Sequence, residues 1–503
     1  MAKQQRFQFD ALVINHTKST AIFRQLENQL REAIWQGRLK PGERLPSTRQ
    51  LASELGVARN TVINAYDQLA VEGFITTIKG SGTRVTSDFP QPTPPAKAIR
   101  NTKKQPISPL RLANRYQQLG TIENTIPAEL DTPARPFRAH SPACKAFPNK
   151  VWAQLAIRRL RYMTSSWIES CHPCGYRPLR EAIADYLGVA RGITATSDQV
   201  VVTAGVQQGI ELLAKLLINP GDIVVFEEPC YTPAAHCFEM VGAKVISIRV
   251  DDQGLCVDQL NQTVKKAKLI YVTPASQFPL GTTLSQARRK ALLEWATRTG
   301  AMIVEDDYNG EYRYQGRPIA TLHAMADDGQ VIYMGSFSKL LFPALRLGYM
   351  VVPDHFLNPL KNLRWLIDRH SPPLEQTVLT DFINQGYFAR HLRQMRSLYA
   401  QRQQVLVQCA EATLSTIMQV PALEGGLHLV GWLADSVNEE TLLNAAASAN
   451  IELTPVSRFC RLPIQRSGVI LGYAPYTPAE IRRSVKLLKN AYVKTSRQVF
   501  TND

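Results

Sequence analysis

Residues 331–352 read VIYMGSFSKLLFPALRLGYMVV, and this stretch decides the fold of most of the chain. An apolar run, Val331–Met334, gives way to small and hydroxylic residues, passes Lys339, and returns to an apolar run at Leu347–Val352. Short apolar runs bounded by turn residues predict buried strands. The pattern recurs upstream at Val200–Thr203, Ile223–Phe226, Val245–Val250, Leu269–Val272 and Met302–Val304. Helical patterns such as Gln207–Leu217 and Ala287–Thr299 lie between several of these runs. Alternation of this kind predicts an α/β domain with a mostly parallel sheet. Downstream, helices dominate from about 355 to 417. Strands near Leu427–Trp432 and Val469–Tyr473, and a helix after Pro478, predict a smaller α/β subdomain at the C-terminal end.

Three places in this part carry chemistry. Lys339 follows a strand among Ser336 and Ser338, with Arg346 seven residues on. Such a lysine can form a Schiff base, and such an arginine can hold a phosphate. Glu305-Asp306-Asp307-Tyr308 also follows an apolar strand, where a carboxylate can keep a pyridinium nitrogen protonated. Thr203-Ala204-Gly205-Val206-Gln207-Gln208 is a strand-to-helix turn, whose glycine and helix N-terminus suit an anion. Taken one at a time, the lysine reads as a surface residue and the acidic run as a loop capping the sheet. Their order reinforces the chemical reading.

The first 86 residues have a different grammar. Ile22, Leu26, Leu30, Ala33 and Ile34 are spaced for one helical face, and Gly37 stops that helix. Ser47 is placed to cap a second helix that Gly56 ends. A third helix begins near Ala58 and carries Val62, Ala65, Tyr66 and Leu69. Phe74–Ile78 and Arg84–Thr86 then flank a hairpin tip, Lys79-Gly80-Ser81-Gly82-Thr83. Three helices and a β-wing predict a winged helix-turn-helix, with the start of the third helix entering a major groove. Arg59, Asn60 and Thr61 stand there, and arginine and asparagine read guanine and adenine edges. Ser47, Thr48 and Arg49 open the preceding helix, where hydroxyls and backbone N–H groups suit phosphate. Lys79 and Gly80 are placed to follow the DNA backbone into the minor groove.

Charge agrees with this division. Lys and Arg number 58 against 42 Asp and Glu, a formal net of +16. Residues 1–86 carry +5 and residues 87–135 carry +3, so half of the excess lies in about a quarter of the chain. Six prolines between Pro90 and Pro109, interleaved with Lys97, Arg100, Lys103 and Lys104, predict an extended basic linker. The domain plan is thus a DNA-binding head at 1–86, a linker at 87–130 and a large domain at 131–503. No run approaches the ~18–20 apolar residues of a membrane span. MAKQQRFQFD lacks the apolar core of a signal peptide, so a cytoplasmic location is expected. Eight cysteines are too few for a disulfide scaffold. Cys171-x-x-Cys174 has no second pair at zinc spacing, so no metal is expected.

The motif E-R-L-P-S-T-R-Q-L-A-x-x-L-G-V-A-R-N-T-V-x-x-A-Y-x-x-L resembles the GntR-type winged helix over roughly residues 16–86. V-x-x-E-D-D-Y…E-Y-R-Y, G-S-F-S-K-x-L-F-P-A-L-R-L-G-Y, P-x-G-x-x-P-L-R-E-A-I-A-x-Y-L and T-A-G-V-Q-Q resemble the fold-type I aminotransferase module of MocR-type regulators. The resemblance covers nearly the whole chain outside the linker and the terminal tails.

The resemblance implies a transcriptional regulator that binds promoter DNA and pyridoxal 5'-phosphate. Its effector would be an amine, an amino acid or pyridoxal phosphate itself. It implies that Lys339 carries the cofactor as an internal aldimine, which an effector amine exchanges. Asp306 would pair with the pyridine nitrogen, Tyr308 with the 3′-oxygen, and Tyr231 would stack on the ring. Asp306 is preferred to Asp307 because neighbours alternate across a strand, and only one shares the face of Tyr308. Gly205, Val206 and Gln207 would offer N–H groups to the phosphate, and Ser336, Ser338 and Arg346 would complete that cup. Family position puts an effector carboxylate near residues 458–466, leaving Arg458, Arg461 and Arg466 as candidates. A homodimer is implied, the head of one subunit crossing to the other.

Two loops depart from the family pattern. Ala275-Ser276-Gln277-Phe278-Pro279 lacks a frequent histidine, and Ser170-Cys171-His172-Pro173 lacks a frequent tyrosine. His172 reads as a structural loop residue. The competing function is a working aminotransferase with an accessory head. The groove-reading side chains Arg59, Asn60 and Thr61 favour regulation.

Overall fold

The computed structural model describes residue 9 and residues 12–78, 82–90, 135–139, 141–162, 169–314, 319–326 and 329–500. The chain forms two compact units, Met1–Arg111 and Leu112–Asp503. Most of the expected linker, and Lys79 and Gly80 at the wing tip, lie outside the described residues.

In the first unit, α1 (Ile22–Trp35) buries Leu26, Leu30, Ala33 and Ile34, one stripe at helical spacing. The stripe packs with Leu51 of α2 (Thr48–Leu55) and with Val62, Tyr66 and Leu69 of α3 (Arg59–Val71). The Ser47 hydroxyl accepts the Gln50 N–H at 3.2 Å, and Gly56 ends α2 in the left-handed conformation at φ +63°. We expect Ser47→Ala to destabilise the head by ~1 kcal/mol, read as a lower denaturation midpoint. Strands β1 (Ile75–Ile78) and β2 (Gly82–Val85) pair antiparallel, with Thr76 opposite Arg84. The Arg84 guanidinium donates to the Gly42 carbonyl at 2.9 Å and ties the wing to the turn before α2.

The second unit is built on an eight-stranded sheet. In chain order its strands are β3 (Val200–Thr203), β4 (Ile223–Glu228), β5 (Lys244–Asp251), β6 (Gly254–Leu255), β7 (Leu269–Val272), β8 (Met302–Asp307), β9 (Val331–Ser336) and β10 (Gly348–Val351). Their spatial order is β3-β10-β9-β8-β7-β4-β5-β6. The pairs from β5 through β4, β7 and β8 to β9 are parallel, whereas β10 runs antiparallel to both β9 and β3. Apolar clusters cover both faces, as continuous Val/Ile-rich strands require. A four-stranded antiparallel sheet follows: β11 (Met418–Gln419), β12 (His428–Leu433), β13 (Thr454–Pro455) and β14 (Gly468–Gly472). Three helices, Asp354–Ile367, Pro373–Asn384 and Tyr387–Leu414, join the two sheets in sequence.

One boundary differs from expectation in a way that matters. Strand β8 continues through Glu305, Asp306 and Asp307, all buried, rather than ending at Val304. Each carboxylate is stabilised there by its own partner. Glu305 accepts the N–H groups of Leu322 and His323 at 3.0 and 2.9 Å. Asp307 accepts the Tyr333 hydroxyl at 2.8 Å and pairs with Arg191. Asp306 accepts the Tyr271 hydroxyl. Among the described residues no helix is long and apolar enough to cross a membrane.

Candidate functional site

The sheet order gathers the chemical residues at one end. Strands β8 and β9 are neighbours in register Asp306↔Met334, so Asp306 and the one-turn helix Phe337–Leu340, which carries Lys339, leave the same edge. Burial, with Arg346 nearby, pulls the Lys339 ammonium down to about 8, and Asp306 partly offsets this. Burial pushes Asp306 up to about 6 against the Tyr271 hydrogen bond and the Lys339 charge. One carboxylate oxygen of Asp306 accepts the Tyr271 hydroxyl, and the other, Oδ1, is buried without a partner. A buried carboxylate oxygen left open is costly, and it is where a ring N–H would be received. Asp307 is turned to Arg191 and Tyr333 instead.

Tyr308 is buried, and burial raises its phenol well above the ordinary value. Its hydroxyl lies 3.4 Å from the Ser276 hydroxyl. Burial first, and Asp306 next, push Tyr231 up to about 12. Phe278 touches Tyr231, Tyr308, His428 and Phe459, with ring centroids at 5.6, 5.8, 6.4 and 5.2 Å. The site therefore has an aromatic wall that Phe278 holds together.

The anion cup forms where β3 leaves the sheet and β10 enters it. Gly205, at φ +91°, begins the helix Val206–Leu217. A Cβ at Gly205 would stand 2.8 Å from the Arg346 guanidinium, and one at Gly348 would stand 3.0 Å from the Gly205 backbone. Arg346 is exposed, adopts φ +50°, and donates to the Ala204 carbonyl at 2.9 Å. Ser336 and Ser338 are buried on the neighbouring turn, and the Ser338 hydroxyl has no partner. Gln207 is drawn partly toward the next helix, donating to the Pro233 carbonyl at 3.3 Å. A helix N-terminus, a guanidinium and a hydroxyl are hydrogen-bond donors, a combination able to hold an anion.

The three arginines near the C-terminal end separate. Arg461 pairs with Glu239, and its backbone N–H donates to Glu228 at 2.7 Å. Arg466 is exposed and lies 5.5 Å over the Trp432 ring. Arg458 is exposed on the short helix Val456–Phe459. His172 accepts the Cys174 N–H at 3.2 Å and so shapes its own loop.

On the head, Arg49, Arg59 and Asn60 are exposed at the N-terminal ends of α2 and α3, with Ser47 beside them and Thr48 and Thr61 half-buried. The Arg59 Nε lies 3.4 Å from the Thr48 hydroxyl and links the two helix starts. Polar side chains on two adjacent helix ends form the surface that a helix-turn-helix offers to a groove.

Comparison with known proteins matches residues 23–85 to bacterial regulatory proteins of the gntR family, and residues 143–445 to aminotransferase class I and II. A probable rhizopine catabolism regulatory protein, MocR, of Rhizobium meliloti is 37% identical over 96% of each chain. This chain belongs to the MocR-type regulators of the GntR superfamily. Other MocR-type relatives include the pyridoxine biosynthesis transcriptional regulator PdxR of Corynebacterium glutamicum, 29% identical over 94% of this chain and 96% of that one. TauR of Rhodobacter capsulatus is 33% identical over 77% and 79%. The fold agrees with kynurenine aminotransferase of Pyrococcus horikoshii at a TM-score of 0.67 and 27% identity, over 76% of this chain and 95% of that one. As in its MocR-type relatives, one chain joins a DNA-binding head to an aminotransferase-type domain, and its class of function is transcriptional regulation.

Several site residues gave no signal in the sequence. Tyr271 sits inside the apolar strand β7 and reads as core. His428 is buried in β12, and its Nε2 donates to the Pro279 carbonyl, 2.8 Å away. Burial lowers it to about 4, so its ring is neutral at pH 7 and the proton on Nε2 faces Pro279. The Phe278 wall was visible only as part of a loop that departs from the family pattern.

Proposed function

We propose that this MocR-type regulator binds pyridoxal 5'-phosphate at Lys339 and uses that site to read an amine, an amino acid or the cofactor itself. The unpartnered Asp306 Oδ1 carries the proposal, because a buried carboxylate oxygen facing Lys339's pocket is matched by a protonated pyridine nitrogen. When bound, the cofactor supplies an aldehyde carbon that condenses with primary amines. Lys339 provides the resident amine. Asp306 would hold the ring proton, Tyr308 would meet the 3′-oxygen, and Tyr231 would cover a ring face. Gly205, Val206, Gln207, Ser336, Ser338 and Arg346 would receive the phosphate. An effector amine would compete with the Lys339 amine for that carbon, so the state of Lys339 would report the effector. That state would be passed to promoter DNA through Ser47, Thr48, Arg49, Arg59, Asn60 and Thr61, in a cytoplasmic homodimer.

A second reading, a working aminotransferase, is favoured by one observation: the lysine and carboxylate machinery is complete. The test is purified full-length chain with pyridoxal phosphate, scanned with amines and amino acids for changes in near-visible absorbance and promoter binding. Coupled changes in both support the regulator. Steady turnover near ~10 s⁻¹ with no effect on DNA would overturn it.

The lowered Lys339 pKa gives a pH dependence. Only the neutral amine attacks an aldehyde, so cofactor capture by the cofactor-free chain should rise about tenfold per pH unit below about 8 and level off above it. Stopped-flow absorbance between pH 6 and 10 checks this, and a rate still climbing at pH 10 would place Lys339 in an ordinary environment.

A further inference from the structure

The turn that opens the anion cup is held by a ring of side chains. Gln208 stands in the first turn of the helix Val206–Leu217 and points its carboxamide back toward the strand. Its Oε1 accepts the Ala204 N–H at 2.7 Å, and its Nε2 donates to the Asp368 carboxylate at 2.5 Å. Only one orientation of the amide serves both neighbours, because an N–H needs the oxygen and a carboxylate needs the NH₂. A glutamine at the third position of a helix commonly reaches back to the N-cap N–H. Gln208 reaches one residue further, past the cap Gly205. Asp368 follows the helix Asp354–Ile367 and accepts the Arg364 Nε at 2.9 Å. Arg364 is fully buried, and it also donates to the Val202 carbonyl at 2.7 Å and the Ser371 hydroxyl at 3.2 Å. Val202 lies in β3, just ahead of Ala204, so the ring Val202, Arg364, Asp368, Gln208, Ala204 closes on the segment where it began.

We infer that Gln208 is a positioning residue for the anion cup, fixed in place by Asp368 and Arg364. The inference rests on the reading of that cup as the phosphate site of the Lys339 pocket. The N–H groups that would meet an anion belong to Gly205, Val206 and Gln207, and Gly205, at φ +91°, has no backbone preference of its own to hold them in line. Three hydrogen bonds do so. The Thr203 hydroxyl donates to the Gly205 carbonyl at 3.0 Å, Arg346 donates to the Ala204 carbonyl, and Gln208 takes the Ala204 N–H. An anion competes for Arg346, because that guanidinium is exposed and binds phosphate more strongly than it binds a carbonyl. It does not compete for Gln208, whose two polar atoms are both committed to the protein. Gln208 therefore keeps the shape of the turn whether the cup is empty or filled. A turn already in shape needs less ordering when the anion arrives, which raises affinity.

The test separates a role in the cup from a role in packing. Cofactor-free full-length chain is titrated with pyridoxal 5'-phosphate and with pyridoxal, which lacks the phosphate, and near-visible absorbance gives each affinity. Gln208→Glu keeps an acceptor for Ala204 but sets a second carboxylate against Asp368. It should weaken pyridoxal phosphate about tenfold, the loss expected for one broken hydrogen bond to a charged group, and leave pyridoxal within about twofold. Adding Asp368→Asn restores a donor to the pair, and the double variant should recover most of the loss. A parent chain that binds the two compounds equally has no phosphate cup, and the reading of the Lys339 site fails together with the inference. A parent that prefers the phosphate, with the same preference in Gln208→Glu, overturns the inference alone. So does a double variant no better than the single one.

Discussion

Replacing Lys339 by alanine should abolish the near-visible absorbance of the cofactor-treated chain and reduce its effector response to background, while promoter binding survives. The reason is spatial. Lys339 is the amine whose ammonium is desolvated among Asp306, Arg346 and the aromatic wall, and it lies in the unit Leu112–Asp503, whereas the DNA-reading side chains lie in Met1–Arg111. Each unit has its own apolar core, so loss of one side chain in the second leaves the first folded. Absorbance titration and a promoter mobility shift on the same preparation measure the two properties. Simultaneous loss of both would indicate a misfolded chain. Retention of the effector response would show that the effector is read elsewhere.

Arg59→Ala is the complementary change, and it should weaken promoter binding by about 5- to 150-fold, from the ~1–3 kcal/mol of a base contact, with the absorbance of the second unit intact. Arg59 is exposed at the first position of α3 and braced by Thr48, so little packing is lost. Salt dependence identifies what the guanidinium touches. A phosphate contact lowers affinity for every sequence and reduces the salt slope by about one, whereas a base contact leaves the slope and relaxes discrimination at one operator position.

The parts legible in the sequence were those with local causes. Ser47 and Gly56 bound α2 by capping and positive φ, and the buried strands announced themselves as apolar runs between turns. Lys339, Asp306 and Arg346 were readable because each follows or precedes such a run. The rest depends on strand order. Nothing local says that β10 lies between β3 and β9, so the approach of Gly205 to Arg346 could come only from family resemblance. The burial of Glu305, Asp306 and Asp307 inside β8 was hidden for the same reason: their partners Leu322, Tyr271 and Arg191 are distant in sequence. The three C-terminal arginines share one local context and differ only in tertiary partners, which is why spacing left them open.

The placing of β10 also orders events at the ribosome. The anion cup needs Gly205 and Arg346, and the hydrogen bond from Arg346 to the Ala204 carbonyl spans 142 positions. A growing chain completes its head, and strands β3 through β9, before the second half of the cup has been made. Until then Val200–Thr203, fully buried in the finished protein, is an unpaired strand edge, the kind of surface that chaperones shield and that drives aggregation. Every new chain thus carries its complete gntR-type head before both halves of this cup exist.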